Sequence, residues 1–281
     1  MTKRKSLFSI AMRTWRMRIG FGLTLLVVGI ALLGPLLNPK DPQAFVDLPF
    51  VKPKAGILFG TDNLGRDVLS RFLAGGWLLI LLSLAATIIG VGIGVLLGIL
   101  AGYLRGKTDE IIMRLGDVAL AFPQLLLALL FISITGPNLL VVVLLAGLGH
   151  APRVARVMRG AALSVAERDF ISNASAMGLK VRTIVFKELL PNVSGPLAVE
   201  FGLRLTYSIG LIAGLSFLGL GIQPPRADWG VMLNDNRIAF SIQPWPVLLP
   251  VLAIALLTIG MNLVTDSLAR ASAGIDREAR G

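Results

Sequence analysis

Cysteine is absent from the 281-residue chain, and histidine occurs once, as His150. The first absence excludes disulfides, thiol catalysis and thiolate metal sites, and the second leaves little scope for a histidine metal cluster. Charged residues are also scarce, at 15% of the chain against 55% hydrophobic residues. A soluble domain of this length could not bury so many apolar side chains, so the composition predicts an integral membrane protein.

The basic residues predict orientation and not nucleic-acid binding. The net charge is +11, but Lys and Arg lie between apolar runs, where they determine which side of the membrane a loop occupies. The stretch GYLRGKT at 102–108 has three residues between its glycines where a phosphate-binding loop has four, and it follows an apolar helix instead of a strand. We therefore expect no nucleic-acid partner and no cofactor on this chain.

Six apolar runs are candidate membrane spans: 19–37, 77–103, 118–134, 139–152, 193–220 and 246–264. The first follows a basic N-terminus, residues 1–18, that includes Lys3, Arg4 and Lys5. No small-x-small cleavage site follows the run, so we interpret it as a retained anchor and not as a signal peptide. The third run is entered through Pro123, placed in the first turns of its helix, where a missing N–H costs little.

The fourth run has only 14 residues, too few to assign on hydropathy alone. If it did not cross, the seven Lys and Arg residues that follow it would lie outside. With six crossings, 19 Lys and Arg lie in the cytoplasm and 7 outside, and Arg204 lies within a span. This distribution places both termini in the cytoplasm, with a tail at 269–281.

Two segments between spans are predicted to form surface helices outside the membrane. Segment 38–76 contains Pro39, Pro42, Pro49 and Pro53, and then a short amphipathic helix in which Val68, Leu69 and Phe72 share a face. Segment 227–240 is the second, with Trp229 expected at the membrane interface.

Glycine recurs at a strict four-residue spacing in the second run, at Gly90, Gly94, Gly98 and Gly102. These residues form one stripe along a helix, and the missing side chains allow another helix to approach closely. The approaching helix belongs either to this chain or to a partner subunit. In the fifth run Glu200 and Arg204 are four residues apart, which allows an ion pair on one helix face, a role in lining a pathway or a link to the neighbouring cytoplasmic segment.

Residues 169–191 form a polar, basic segment between two apolar runs. Small residues, including Ala174 and Ala176, precede Gly178, where a helix is expected to end, and a second amphipathic piece closes at Leu190 and Pro191. The pattern predicts two short cytoplasmic helices joined at a glycine.

This segment resembles the cytoplasmic loop of permease subunits of bacterial ABC importers, whose pattern is Glu-Ala-Ala, three residues, Gly, and then hydrophobic-x-Leu-Pro. The counterparts here are Ser172, Asn173, Ala174, Gly178, Glu188, Leu190 and Pro191. FGTDNLGRDVLSR, LGILAGYLRGKTDEIIMRLGDVALAFPQLLLAL, GLSFLGLGIQPPRADWGVML and NLVTDSLAR are similar, in order and spacing, to the second permease subunit of dipeptide, oligopeptide and nickel importers. Departures are Ser172 for glutamate, Asn173 for alanine, Glu188 for a hydrophobic residue, Trp77 for arginine and His150 for tryptophan.

The resemblance implies an all-α type I ABC importer permease with six transmembrane helices, its core at 77–268 and a coupling helix within the loop 160–192. It also implies a second permease, two ATPase subunits that bind ATP and Mg²⁺, and a periplasmic or lipid-anchored binding protein. The coupling residues would be Ser172, Ala174, Ala176, Gly178, Lys180, Arg182, Leu190 and Pro191. Small Ala174 and Gly178 would permit close docking, and Lys180 and Arg182 would meet an acidic rim.

The preferred function is therefore import of short peptides across the bacterial inner membrane, without enzymatic activity on this chain. Import of nickel or another small solute is the alternative within the family. A secondary transporter would show midplane ionisable groups or broken helices in matching halves, and only Glu200 and Arg204 qualify. A membrane enzyme would need convergent acid, base or nucleophile groups, and the sequence shows no such constellation.

Overall fold

The computed structural model describes residues 7–38 and 40–278. The first helices are α1 (Leu7–Ala11), α2 (Trp15–Leu37), α3 (Val68–Leu104), α4 (Gly106–Leu120), α5 (Gln124–Thr135) and α6 (Leu139–Ala166). Next come α7 (Asp169–Ala176), α8 (Val181–Thr183), a π-helix (Ile184–Leu189), α9 (Leu190–Asn192) and α10 (Ser194–Phe217). The chain continues with α11 (Trp229–Asn236), a 3₁₀ turn (Arg237–Ala239) and α12 (Trp245–Glu278). The predicted all-α class is confirmed. Four of the basic residues used in the charge count, Lys3, Arg4, Lys5 and Arg280, lie outside the described residues, as does Pro39.

Within residues 7–38 and 40–278, five helices are long and apolar enough to cross a membrane: α2, α3, α6, α10 and α12. The pair α4 and α5 supplies a sixth crossing if it is counted as one bent span. α6 has 28 residues, so the fourth run is long enough to cross, as the charge distribution predicted. α3 has 37 residues, about 55 Å at 1.5 Å per residue, and therefore extends beyond a hydrocarbon core of about 30 Å.

The third span is broken, and the expectation of one helix at 118–134 is wrong. α4 ends at Leu120, α5 begins at Gln124, and the two helices meet at a bend of 75°. Pro123 lies at the N-cap of α5 and not inside the first turns of a longer helix. Proline has no N–H and disfavours helical geometry in the residue before it, so the helix stops there and restarts in a new direction.

The expected surface helix after segment 38–67 is instead the beginning of α3. Asp67 caps α3, with its carboxylate accepting a hydrogen bond from the N–H of Ser70. Val68 and Phe72 do share a face, but that face is buried in the apolar core and not laid on a membrane surface. The proximity of α11 to this part of α3 accounts for the burial.

Trp229 is also placed differently from the prediction. It is 0% exposed, its ring stacks on Phe72 at 5.6 Å between centroids, and its indole N–H donates to the carbonyl of Phe72 at 2.9 Å. α11 therefore packs into the protein and is not an interfacial helix. The indole N–H has its partner inside the chain, so Trp229 has no need of the membrane interface to satisfy it.

The four-residue glycine stripe packs against α6 of the same chain. A Cβ built at Gly94 would lie 2.5 Å from the Cβ of Val154, one at Gly98 would lie 2.5 Å from the carbonyl oxygen of Ala155, and one at Gly102 would lie 2.8 Å from that of Arg159. Backbone therefore meets backbone along this contact between α3 and α6, which we name the seam. Of the two partners left open by the sequence, the helix within the chain is the one observed.

The two largest apolar clusters among the described residues lie along the bundle. The larger one joins α2, α3, α5, α6, α10, α11 and α12. The second cluster contains residues of α3, α6, α7 and the π-helix, and several of its members lie within residues 160–192. Residues 169–192 are thus packed onto the same two helices that form the seam.

Candidate coupling surface and transmembrane cleft

Residues 169–192 fold as two helical stretches joined at Gly178: the first is α7, and the second consists of α8, the π-helix and α9. α7 begins three residues after α6 ends, with Asp169 in its first turn, where a negative charge is favourable. It ends in a Schellman motif: the N–H of Leu179 donates to the carbonyl of Ala174 at 3.2 Å, and the N–H of Gly178 donates to that of Ser175 at 3.0 Å. Gly178 has φ +74°, a conformation that glycine adopts without strain.

The second half of the segment runs through α8, the π-helix and α9 directly into α10. Ile184, Val185 and Leu189 are buried and join the cluster formed by α3, α6 and α7. π-helical turns are rare and occur frequently at functional sites. The two ends of the segment are thus connected to the long helices α6 and α10.

An apolar and basic surface lies at the tip of this segment, and we name it the coupling surface: Met177, Leu179, Lys180, Val181 and Arg182. All five side chains are exposed, Met177 to 74%. A patch of exposed apolar side chains with charged residues at its edge is typical of a surface that a partner protein covers.

The residues predicted for coupling divide into two groups. Ser172, Ala176, Gly178, Lys180, Arg182 and Pro191 are exposed, while Leu190 is partly buried. Ala174 is only 5% exposed and packs inward on the second apolar cluster, so the expectation that its side chain lies at the docking surface is wrong. α7 turns this position toward α3 and α6, which the linear motif does not reveal.

A cleft of about 600 Å³ opens between α5, α6 and α10. Gln124 lies at its α5 side, His150 and Arg153 on α6, and Arg204 and Tyr207 on α10. Gly210 and Gly214 form part of the α10 wall, and a Cβ at either position would meet no atom within 4 Å. The volume lies in the range of small-molecule sites.

Glu200 and Arg204 form the ion pair that their spacing allowed. The Nε of Arg204 donates to Glu200 at 3.0 Å, and both side chains are largely buried. The guanidinium lies 5.3 Å from the ring centroid of Tyr207, a cation–π distance. Arg204 also lines the cleft, while Glu200 does not, so the pair anchors a cleft residue to the interior of the bundle.

Sequence reasoning missed a buried hydrogen-bond chain behind the cleft. The Nε2 of His150 lies 3.0 Å from the hydroxyl of Ser208, which lies 3.1 Å from that of Thr87, and Thr87 donates to the carbonyl of Ser83 at 2.7 Å. This chain joins α6, α10 and α3. His150 lies in the middle of α6, which continues to Ala166, and is 2% exposed.

Two ion pairs connect α4 to the C-terminal half of α6. Arg156 pairs with Asp117 at 2.5 Å, and Arg159 pairs with Asp109. An exposed pair such as Arg156–Asp117 contributes about 0–1 kcal/mol. The main effect of the two pairs is to fix the direction of α4 before the break at Pro123.

The opposite end of the bundle holds a buried charge cluster. Asp62 pairs with Arg66 at 2.7 Å and with Arg71 at 3.3 Å, and Arg66 lies 3.7 Å from Asp235. Burial raises the pKa of Asp235, and it raises the pKa of Asp228 to about 6 against backbone hydrogen bonds that lower it. This cluster fixes segment 38–67 onto α3 and α11. In the described part of the chain, no three His, Asp or Glu side chains are placed to hold a metal ion.

Comparison with known proteins gives one family. Residues 94–273, which contain the coupling segment and the cleft, match the family model of the binding-protein-dependent transport system inner membrane component. The chain is 38% identical over 246 residues to the glutathione transport system permease protein GsiD of Pectobacterium atrosepticum, covering 87% of this chain and 82% of that protein.

The protein of the same name from Shigella boydii serotype 4 is 37% identical over the same length, and that from Shigella dysenteriae serotype 1 is 36% identical. Each alignment covers 87% of this chain and 81% of the relative. These relatives are transport permease components, and the all-helical bundle fits the type I permease fold. The chain is thus a multi-pass inner membrane protein that belongs to the permease subunits of ABC importers, in the dipeptide, oligopeptide and nickel family.

Proposed function

We propose that this chain forms, with a second permease, the membrane path of an importer for short peptides and peptide-like solutes. The observation that carries the proposal is the 38% identity, over 87% of the chain, to a protein named as a glutathione transport permease. Glutathione is itself a tripeptide-like molecule. The aligned length is sufficient to include the cleft between α5, α6 and α10.

The coupling surface is proposed to dock on one of two cytoplasmic ATPase subunits, which bind the ATP and Mg²⁺. Its exposed apolar side chains suit a hydrophobic groove, and Lys180 and Arg182 suit an acidic rim. The direct joins to α6 and α10 support this role, because motion of the ATPase would reach the helices that border the cleft. Both termini then lie in the cytoplasm, and an external binding protein delivers the solute to the other face.

The substrate class is tested with the complete transporter in proteoliposomes, with binding protein outside and ATP inside. A labelled alanyl-alanine dipeptide, glutathione and radioactive nickel are compared. The proposal expects ATP-dependent uptake of at least one of the two peptides and none of nickel. Uptake of nickel alone would replace the peptide function by metal import.

The proposal that ATP hydrolysis belongs to partner subunits is tested with the purified chain. Alone it should neither hydrolyse ATP nor move solute, and ATPase activity that copurifies with this chain would contradict the proposal. A reporter fused after Arg182 should report the cytoplasm. Solute movement by the chain alone, driven by an ion gradient, would instead support a secondary transporter.

A further inference from the structure

The cleft between α5, α6 and α10 has an unbalanced charge. Arg153 and Arg204 line it, and the lining residues among the described part of the chain include no acid. Glu200 is the carboxylate that pairs with Arg204, through Nε. One positive charge therefore remains uncompensated among the residues that line the cleft.

Both arginines have donors left for a ligand. The Nη groups of Arg204 have no hydrogen-bond partner within residues 7–38 and 40–278, while its Nε and its contact with Tyr207 hold the guanidinium in place. Arg153 is exposed, and one of its Nη groups is shared between the side chain of Gln124 at 3.3 Å and the carbonyl of Gly149 at 3.2 Å. These are long, neutral bonds, which a carboxylate can replace with shorter, charge-assisted ones.

The rest of the cleft suits the body of a small solute. Gly210 and Gly214 leave open space along α10, and Leu125 and Leu211 supply apolar wall. Tyr207 is 60% exposed and presents both a ring face and a hydroxyl. Apolar walls with a few convergent polar groups are the usual composition of a small-molecule site.

We propose that this cleft is a solute-binding site in which Arg153 and Arg204 bind a carboxylate of the transported molecule. The inference rests on the proposed peptide import and deepens it, because a peptide presents a terminal carboxylate and glutathione presents two. The required substrate class is a small solute with a free carboxylate, and an amidated analogue lacks the recognised group.

The test is equilibrium binding to the purified complex of all membrane and ATPase subunits, with the binding protein omitted so that its selectivity does not contribute. The probes are labelled alanyl-alanine and its C-terminal amide. The wild-type complex should bind the free acid at least about tenfold more tightly than the amide, as expected for a charge-assisted contact. Arg153→Gln should remove most of that preference, because it weakens binding of the acid much more than binding of the amide.

Two further variants separate recognition from structure. Arg204→Lys keeps a charge for Glu200 but loses the planar fork, so it should weaken binding of the acid more than that of the amide. Arg156→Gln removes a positive charge one turn further along α6, outside the cleft, and must alter both affinities equally.

The outcomes distinguish this inference from the peptide function. A wild-type complex that binds acid and amide equally, or binds neither, overturns the inference, as does an equal effect of Arg153→Gln and Arg156→Gln. If that complex nevertheless imports the dipeptide in proteoliposomes, the proposed function stands. If the complex prefers the free acid but imports no peptide, the carboxylate site stands and the peptide function fails.

Discussion

Two rows of glycine at similar spacing occupy opposite environments in this protein. In the seam, the α3 row at Gly90, Gly94, Gly98 and Gly102 has the backbone or Cβ atoms of α6 where its own side chains would be. In the cleft, Gly210 and Gly214 of α10 have no atom within 4 Å of a built Cβ. The spacing shows that each row lies on one helix face, but only the neighbouring helix determines whether the row packs or leaves space.

The difference assigns the two regions different mechanical roles. α3 and α6 approach so closely that we expect them to move as one unit, and the second apolar cluster packs residues 169–192 onto that unit. α10 borders the open space and is joined to the same segment at Ser194. Relative motion between the seam unit and α10 would therefore change the cleft without breaking the seam.

The largest expected effect comes from filling the seam. In Gly98→Val the Cβ would lie 2.5 Å from the carbonyl oxygen of Ala155, so α3 and α6 must separate and lose their packing. We expect destabilisation of about 3 kcal/mol or more, measured as loss of assembled complex in size-exclusion chromatography and of its thermal unfolding transition. Gly92→Val is the matched control, because a Cβ there meets nothing within 4 Å. Equal yields of the two variants would refute the close contact.

Filling the cleft should affect transport instead of assembly. Gly210→Leu places a side chain in open space, and leucine is a better helix former than glycine by about 0.5–1 kcal/mol. The complex should assemble normally, with peptide uptake reduced about tenfold or more because the side chain occupies the solute's space. Uptake in proteoliposomes and thermal unfolding are measured together. Loss of assembly would show that this face is packed against the second permease and is not a solute path.

Gly178 represents a third use of glycine, in which the backbone conformation and not space sets the requirement. A Cβ there would meet nothing, but φ is +74°. A non-glycine residue in this region costs about 1–2 kcal/mol, and asparagine costs less. Gly178→Asn should therefore retain more ATP-dependent uptake than Gly178→Val, with both complexes still folded. Identical uptake by wild type and both variants would remove the glycine turn from coupling.

Patterns that depend on one helix were predictable from the sequence. The Schellman glycine at Gly178, the Glu200–Arg204 pair and the length of the fourth span each follow from spacing or charge along the chain. The break at Pro123 was visible as a residue but was placed wrongly, because hydropathy continues across it. A proline at the edge of an apolar run is compatible with both a first helical turn and a break.

Features that depend on contacts between distant segments were not predictable. Tryptophan is a residue type that is common at membrane interfaces, which suggested that location for Trp229. Instead Phe72, 157 residues away, supplies both its stacking partner and its hydrogen-bond acceptor. Likewise, Ser83, Thr87 and Ser208 are unremarkable in apolar helices until the fold aligns them with His150. The cleft could not be predicted either, because its walls come from three helices.

The smallest expected effect concerns Asp228, which packs against the N-terminal part of α3. A Cβ built at Gly75 of α3 would lie 3.2 Å from the backbone of Asp228. Burial raises the pKa of Asp228 to about 6 from 3.8, so the folded state holds this proton more tightly than the unfolded state does. The stabilisation from that proton is full below pH 3.8 and is lost as the pH rises through 6.

Asp228→Asn keeps an oxygen to accept the N–H groups of Gly230 and Val231 and removes the ionisation. Between pH 5 and pH 7 the wild type should lose about 1 kcal/mol relative to this variant, measured as the difference in their thermal unfolding midpoints. Parallel pH profiles for the two proteins would show that Asp228 is ionised throughout this range, with the buried Arg71 compensating its charge.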